Sequence, residues 1–391
     1  MFLVGILLLL CSAWWPLQIG YVSGIAMAWC LIFYPRSWVE GWLGATMLWV
    51  GYLWWIPWFI HEHLRSSLSG AWALSLLLLL YVSGASWVVW RASWWIANNA
   101  VVRPWVRSTF AGGIFLWWAT CASLPFISCM SGYLFMNPLL PALVWSRDLF
   151  STSVPQKTWV SCLLGAQEIQ LYYLPPLPDE SRGALTQKIY VALNSISMPG
   201  SQGDGYVVSP ESMFPYRLQP EEGPECALWR SVVPERVTWV FGGVQTRSQS
   251  DLQTLFFLNK SLIIDRYEKQ HLVDFFELPA QGWLQKVIGA FFSLENNTFT
   301  CGDCPNRGGG GAFQPALCSD LFTLERDDSK DGVLVAANEH WLPNWVALLW
   351  QGYGIYWTLS AQKAVVWVGW HECRLLNKKR GHVAQLERHA L

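Results

Sequence analysis

Apolar residues run almost unbroken through the first part of the chain and then give way to short apolar stretches separated by polar residues, glycine and proline. A helix needs about 20 apolar residues to cross a bilayer core, and several early stretches approach that length. We therefore expect five to seven membrane-spanning helices there. The candidate spans are Phe2–Leu17, Ile19–Tyr34, Gly41–Ile60, Ala71–Trp90, Phe110–Ile127, Leu134–Trp145 and Trp159–Tyr173.

From Gln187 onward, β-rich runs alternate with stretches of helix-compatible composition, which is typical of an α/β layered domain. The pattern thus predicts a transmembrane domain at 1–175, a linker at 176–186 and an α/β domain at 187–391. The predicted strands are Ile189–Leu193, Gly205–Val208, Val237–Val244, Thr254–Leu258, Ser261–Asp265, Gly332–Ala336 and Ala364–Val368.

The charged residues divide the chain in the same way. Residues 1–150 hold 9 of the 53 charged residues but 18 of the 28 tryptophans. Basic residues in the loops between spans favour the cytoplasmic side of a membrane, and here they are Arg36 and the cluster Arg91, Arg103 and Arg107. Counting spans from these loops places the α/β domain outside the cytoplasm. The net charge of -1 gives no electrostatic support for a nucleic-acid partner.

One apolar stretch near the C-terminus has two interpretations. The segment from Trp341 to Gln362 contains no charged residue, which allows a closing transmembrane helix. Pro343 and Gln351 interrupt it, and the expected strand Ala364–Val368 follows directly. We therefore favour a helix that packs on the α/β domain.

Three reactive side chains follow apolar runs, where layered α/β folds tend to place their sites. Glu211 follows an apolar strand and a proline and is a candidate general base, although a helix cap is the commoner role of such a residue. Lys269, with Glu277 eight positions later, offers a cation for an oxyanion, or a surface ion pair. Cys318 is a candidate nucleophile or an inert buried thiol.

The order of these motifs resembles the nitrilase superfamily: a Glu in Pro210-Glu-Ser, a Lys in Lys269-x-His-Leu-Val, a Cys at a strand end, and then Asn338-Glu-His-Trp341. Together with the apolar N-terminal part, the chain resembles the membrane-bound branch, the bacterial apolipoprotein N-acyltransferases. Related plasmid-encoded proteins associated with conjugal transfer look like reduced versions of these enzymes.

The resemblance implies a multi-span α-helical domain joined to an αββα sandwich, in the bacterial inner membrane with the sandwich facing the periplasm. It implies Cys318 as nucleophile, Glu211 as base and Lys269 as oxyanion cation. It further implies a phospholipid acyl donor, a thioester intermediate, and an amine acceptor such as a lipoprotein N-terminus, with no cofactor or metal. The supporting residues are Glu277, Asp320, Asn338 and Trp341.

The chain departs from the family around these motifs. Cys318 is followed by Ser-Asp where the family has Tyr-Glu, and the family's Asn-Asp-x-Trp-Phe-Gly reads Asn338-Glu-His-Trp-Leu-Pro. Two other functions therefore stay open. One is amide or nitrile hydrolysis, and the other is a non-enzymatic membrane component of a conjugation or secretion apparatus.

The ten cysteines suggest several roles. Those in apolar spans, including Cys162, are expected to pack. Cys301 and Cys304 allow a metal knuckle, but zinc needs four ligands and there is no second close pair. In an oxidising compartment we expect a local disulfide or pairing with Cys226, and unpaired thiols are the alternative.

Overall fold

The computed structural model divides the chain into two compact units, Met1–Trp145 with Pro279–Asn296, and Ser146–Leu278 with Asn297–Leu391. The second unit thus begins before the linker predicted at 176–186. The residues that the structure describes are 39, 42–43, 46, 50, 56–63, 67–99, 147–164, 167–177, 181–197, 204–211, 213–214, 216–218, 224–247, 250–260, 263–270, 272, 299–302, 311–322, 324–340, 347–348, 351–352, 354–355, 358, 363–376 and 384–385.

The described part of the first unit includes the helices α1 (Ile56–His63) and α2 (Leu68–Asn99), which are in contact, and helical residues between 39 and 50. Ser67 caps α2, because its hydroxyl oxygen accepts a hydrogen bond from the Gly70 amide. The helix α2 includes the candidate span Ala71–Trp90. Most of the other early candidate spans lie outside the described residues.

The prediction of a multi-span α-helical membrane domain is wrong. No helix in the described segments is both long enough and apolar enough to cross a membrane, and strands dominate those segments. The candidate span Trp159–Tyr173 shows the physical reason for one error. It forms two paired strands, β2 (Trp159–Leu164) and β3 (Gln167–Tyr173), whose apolar residues lie in the interior of a sandwich rather than in a bilayer.

The second unit contains two sheets. The first sheet has the strand order β1-β12-β11-β10-β9. The strands β9, β10 and β11 run parallel, with β9 at the edge of the sheet, whereas β12 is antiparallel to both β11 and β1. The strands of this sheet are β1 (Ser151–Val154), β9 (Phe313–Leu317), β10 (Gly332–Ala336), β11 (Ala364–Val368) and β12 (Cys373–Leu376).

The second sheet has the order β13-β2-β3-β4-β6-β7-β8, and β5 also pairs with β6. The strands β3, β4 and β6 run parallel, and β6, β7 and β8 form an antiparallel meander. Besides β2 and β3, this sheet contains β4 (Asp204–Val208), β5 (Arg217–Leu218), β6 (Val237–Arg247), β7 (Ser250–Leu258), β8 (Ile263–Glu268) and β13 (Ala384–Gln385).

The two sheets pack face to face through a continuous apolar core. Tyr206 of β4 and Phe313 of β9 meet across it, with ring centroids 5.1 Å apart in an edge-to-face arrangement. Burying each large apolar side chain stabilises the fold by about 1.5–3 kcal/mol. Other residues in this core are Val208, Val240, Leu255, Leu334, Val366 and Leu375.

Helical residues cover both outer faces of the sandwich. On the second sheet lie α4 (Arg182–Asn194) and α5 (Pro224–Val232), packed through buried side chains such as Leu193 and Trp229. On the first sheet, described residues between 347 and 358 are helical, and Ile355 is fully buried. Gly354 there lies close to the side chains of Trp367 and Leu376. The architecture is an αββα sandwich, and these contacts support the domain-helix interpretation of this segment.

The predicted strands match the structure unevenly. Gly332–Ala336 and Ala364–Val368 coincide with β10 and β11, and Ser261–Asp265 is displaced from β8. The strand predicted at Ile189–Leu193 is wrong, because these residues belong to the helix α4.

One further short helix, α3 (Arg147–Phe150), precedes β1.

Candidate active site

Strand direction brings the ends of several strands to one edge of the sandwich. In the second sheet β4 runs parallel to β6, and two antiparallel steps then make β8 parallel to both. The carboxyl ends of β4 and β8 therefore lie at the same edge. Glu211 follows the first of these ends and Lys269 the second.

Glu211 is held on a short extension of β4. The Ser209 amide donates to the carbonyl of Val240 at 2.8 Å, and the Gly242 amide donates to the carbonyl of Pro210 at 3.4 Å, so pairing with β6 continues past the end of β4. Trp239 Nε1 also donates to the Ser209 hydroxyl at 3.0 Å. The Glu211 side chain is only 4% exposed.

Lys269 directly follows β8 and is held by β7. Its amide donates to the carbonyl of Gln253 at 2.8 Å. Its ammonium group points inward, because the side chain is 1% exposed. A lysine is almost never fully buried unless it is paired.

The partner of the buried Lys269 ammonium group is the Glu211 carboxylate. Lys269 Nζ lies 3.4 Å from Glu211 Oε1, and it also donates to Gln253 Oε1 at 3.2 Å. Two buried charges of opposite sign offset part of each other's desolvation cost. The surface ion pair that the sequence left open for Lys269 is therefore wrong, since both partners are buried.

The other Glu211 oxygen connects to the first sheet. Glu211 Oε2 accepts a hydrogen bond from the Asn338 amide at 3.1 Å, and Asn338 follows the carboxyl end of β10. The Asn338 Oδ1 in turn accepts from the His340 amide at 3.3 Å, which closes a turn. One carboxylate thus joins the ends of β10 and β4.

Cys318 leaves β9 in a strained conformation. It begins a short 3-10 turn, Cys318–Phe322, and has a φ of 47°, in the left-handed region. That region costs a non-glycine residue roughly 1–2 kcal/mol. Because Leu317 pairs with Ala336 in parallel β9 and β10, Cys318 lies beside the turn that contains Asn338. The side chain is buried and is a thiol rather than a disulfide.

Asp320 fixes this turn against the lysine strand. Its Oδ2 accepts hydrogen bonds from the Tyr267 hydroxyl at 2.8 Å and from the Gln270 amide at 3.4 Å. Tyr267 and Gln270 lie on either side of Lys269 in sequence. Burial, together with the nearby Asp320 carboxylate, raises the pKa of Tyr267, so this phenol stays a donor. The contacts hold the Cys318 turn close to Lys269.

Two further contacts were not predicted from the sequence. Glu339 is buried and accepts from Trp367 Nε1 at 2.7 Å, which fixes the turn after β10 to β11. Gln253 holds Lys269, as described above. The only sequence signal for Gln253 is a polar residue within the apolar run of β7, and it does not reveal the partner.

Several predicted residues are not brought together in the described structure. Glu277, Trp341 and Cys304 lie outside the described residues. Cys301 is an exposed thiol and Cys226 a buried one, so the pairing of these two is not formed. Across the described segments, no group of three or more His, Cys, Asp or Glu side chains is arranged to hold a metal ion.

A separate cavity of about 510 Å³ lies at the opposite edge of the second sheet. Its lining includes Asp204 and Val237, the first residues of β4 and β6, with Arg236 and Lys260. Because Glu211 and Lys269 lie at the carboxyl ends of their strands, this cavity is distinct from the candidate active site.

Comparisons with known proteins give a likeness of fold. No protein-family model and no curated protein matches the chain. Among solved structures, the chain is similar to XC1258 from Xanthomonas campestris, a CN-hydrolase superfamily protein with an arsenic adduct in its active site. The identity is 14%, the match covers 60% of this chain and 88% of that one, and the TM-score is 0.35.

Two other solved structures are similar at the same level. Saccharomyces cerevisiae Nit3, a nitrilase superfamily member of branch 10, is 13% identical over 56% of this chain and 78% of that one, with a TM-score of 0.36. Glutamine-dependent NAD+ synthetase from Acinetobacter baumannii is 14% identical over 59% of this chain and 46% of that one, with a TM-score of 0.33. At these identities and TM-scores, the likeness does not indicate an activity for this chain. The proposed function rests instead on the contacts described above.

Proposed function

We propose that the protein is a cysteine-dependent acyltransferase in which Cys318 carries the acyl group as a thioester. The observation that carries the proposal is the buried contact of 3.4 Å between Lys269 Nζ and Glu211 Oε1, at the edge where Cys318 leaves β9. Acyl transfer through a thioester needs a base, a cation for the oxyanion and a thiol. These three residues supply all of them.

In the first half-reaction, Glu211 takes the proton of the Cys318 thiol, and the sulfur attacks the carbonyl carbon of an acyl donor. The carbonyl electrons move to oxygen, and the Lys269 ammonium stabilises the resulting oxyanion. Collapse of the tetrahedral intermediate re-forms the carbonyl and breaks the bond to the leaving group. The leaving group takes the proton back from Glu211, which leaves a thioester on Cys318.

In the second half-reaction, an amine attacks the thioester carbonyl and Glu211 accepts a proton from the attacking nitrogen. Lys269 again faces the negative oxygen. Collapse expels the Cys318 sulfur, which regains a proton from Glu211, and an amide is released. No redox cofactor is required, because neither half-reaction changes an oxidation state.

The finer assignment of substrates depends on the sequence motifs. The proposal takes an ester-linked acyl chain of a phospholipid as the donor and an amine, such as a lipoprotein N-terminus, as the acceptor. The position of the α/β unit on the periplasmic side of the bacterial inner membrane stays a prediction, and one of the spans counted for it, Trp159–Tyr173, forms the strands β2 and β3. The motif departures around Cys318 leave Glu211, Lys269 and Cys318 in place but change the residues beside them, so they bear on both substrate choice and activity.

The acceptor is tested with the full chain, p-nitrophenyl butyrate as donor and glycine methyl ester as amine. Release of p-nitrophenolate measures donor consumption, and mass spectrometry measures N-butyryl product against butyric acid. We expect amide to increase with amine concentration, and Glu211→Gln to lose both products. Cys301→Ala is the matched control, since it removes an exposed thiol outside the proposed triad.

Two outcomes would change the proposal. Butyric acid as the sole product at every amine concentration makes water the acceptor and the protein a hydrolase. Phospholipid vesicles with the same amine test the finer assignment, which predicts a lysophospholipid as the second product. Failure with vesicles but success with the ester leaves acyl transfer in place and excludes the lipid donor.

A further inference from the structure

We infer that Gln253 is a positioning residue that directs the Lys269 ammonium toward the reacting carbonyl, an inference that rests on the proposed function. Gln253 Oε1 accepts a hydrogen bond from Lys269 Nζ at 3.2 Å. The Gln253 carbonyl oxygen accepts from the Lys269 amide at 2.8 Å. A single residue therefore holds Lys269 at both its backbone and its ammonium group.

The second acceptor matters because a lysine ammonium is a rotating donor. Its three N–H bonds turn freely on a flexible four-carbon stem. One contact, to Glu211 Oε1 at 3.4 Å, would leave rotation about that contact open. With Gln253 as a second acceptor, two N–H directions are set, and the tetrahedral nitrogen then sets the third.

The chemical type of the side chain fits this role. An amide oxygen accepts a hydrogen bond without bringing a further negative charge to the ammonium. A carboxylate in its place would repel the negative charge that develops on the substrate oxygen in the transition state. Gln253 thus orients Lys269 without adding a negative charge beside its ammonium group.

The position of Gln253 is rigid. In the antiparallel pair β7 and β8, Thr254 lies opposite Glu268, so Gln253 lies opposite Lys269. The neighbours Leu252 and Leu255 are buried, which fixes the register of β7. A contact built on a strand of a packed sheet holds its geometry better than one built on a loop.

The test uses Gln253→Met in the full chain, because methionine keeps the length of the side chain and removes the acceptor oxygen. The matched control is Gln314→Met. Gln314 is a buried glutamine of β9 that hydrogen bonds to the Glu325 carbonyl and the Asp327 amide rather than to the triad.

Two rates are measured for each variant at Cys318. Acylation by p-nitrophenyl butyrate forms a tetrahedral oxyanion, whereas alkylation by iodoacetamide displaces iodide without one. We expect Gln253→Met to slow acylation about tenfold, a part of the 10²–10³ lost when an oxyanion donor is removed, and to change alkylation by less than about threefold. Gln314→Met should leave both rates near those of the wild type.

Three results would overturn the inference: an acylation rate of Gln253→Met equal to the wild type, equal slowing of acylation and alkylation, or the same acylation loss in Gln314→Met. The failure of the proposed function looks different. In that case the wild type itself acquires no butyryl group on Cys318, while iodoacetamide still reports whether the thiol is reachable.

Discussion

Lys269 and Glu211 form an ion pair whose Nζ–Oε1 distance is 3.4 Å and whose side chains are only 1% and 4% exposed. The two residues come from different strand ends, and the Glu211 carboxylate also accepts from the Asn338 amide of the opposite sheet. Desolvating two charges costs several kcal/mol per ion, so such a pair contributes little net stability. Its presence at the Cys318 edge fits a chemical role better than a structural one.

Breaking the buried pair should destabilise the fold. Glu211→Gln leaves the Lys269 ammonium buried without its carboxylate, and we expect the free energy of unfolding to fall by about 3–5 kcal/mol. Urea unfolding followed by tryptophan fluorescence measures the loss.

Glu235→Gln provides the matched control for that experiment. Glu235 pairs with Lys260 at 3.0 Å, but the two side chains are 79% and 52% exposed. Water screens an exposed pair, so this variant should change the free energy of unfolding by at most about 1 kcal/mol. Equal losses in the two variants would contradict the buried ion pair.

The backbone at Cys318 gives a prediction that is independent of catalysis. At ordinary φ values a glycine variant is less stable than the matching alanine variant by about 0.5–1 kcal/mol, because glycine loses more conformational freedom on folding. At the φ of 47° observed here, alanine has the strain of the left-handed region and glycine does not. We therefore expect Cys318→Gly to unfold at a urea concentration equal to or higher than Cys318→Ala. A clearly less stable glycine variant would contradict the left-handed conformation.

The Tyr267 hydroxyl should matter for the Cys318 turn. Tyr267→Phe removes the donor that lies 2.8 Å from Asp320 Oδ2, and hydrogen bonds to charged groups contribute about 1.5–3 kcal/mol. We expect a loss of stability in that range and slower acylation of Cys318. Tyr216→Phe is the control, because its hydroxyl contacts the uncharged Thr186 hydroxyl at the longer distance of 3.4 Å. Unchanged acylation in Tyr267→Phe would separate this turn from the reaction.

The helices on the second sheet give a pH-dependent prediction. The Arg182 guanidinium donates a hydrogen bond to Glu225 and lowers the pKa of that carboxyl. A lowered folded-state pKa gives stability that is fully present above the unfolded pKa of about 4.3 and is lost as the pH falls through the folded value. Because Arg182 is half exposed, Glu225→Gln should cost about 0.5 kcal/mol at neutral pH, and the difference should disappear in acid.

Thermal unfolding as a function of pH measures this effect. Arg182→Gln should lose more than Glu225→Gln at neutral pH, because the Arg182 guanidinium also lies 4.8 Å from the centroid of the Tyr216 ring. The double variant should lose no more than Arg182→Gln alone, because the ion pair is already absent from that variant. A cost of Glu225→Gln that grows as the pH falls would contradict the assigned pair.

The sequence predicts strands well where short β-branched runs end at polar or glycine residues, as in β10 and β11. The prediction fails where apolar residues pack in an element different from the one that their pattern suggests. Leu185, Ile189 and Leu193 are spaced by four and form the buried face of α4, although Ile189–Leu193 taken alone suggests a strand. The segment Trp159–Tyr173 is apolar because both of its strands are buried in the sandwich, and that apolar composition suggests a membrane span.

The candidate site divides in a similar way. Glu211, Lys269 and Cys318 are reactive residue types at strand ends, so motif order makes them candidates. The contacts that orient them depend on strand register and on the packing of one sheet against the other. Neither is readable from the chain, which is why Gln253 and Tyr267 were not predicted.

A thioester on Cys318 would be seen directly in the intact mass of the protein after incubation with p-nitrophenyl butyrate. We expect one butyryl group on the wild type, located at Cys318 by peptide mapping and removed by hydroxylamine as a thioester is. Cys318→Ala should acquire none, and Cys301→Ala should behave like the wild type. Equal labelling of the wild type and Cys318→Ala, or a wild type with no adduct at Cys318, would contradict a thioester on Cys318.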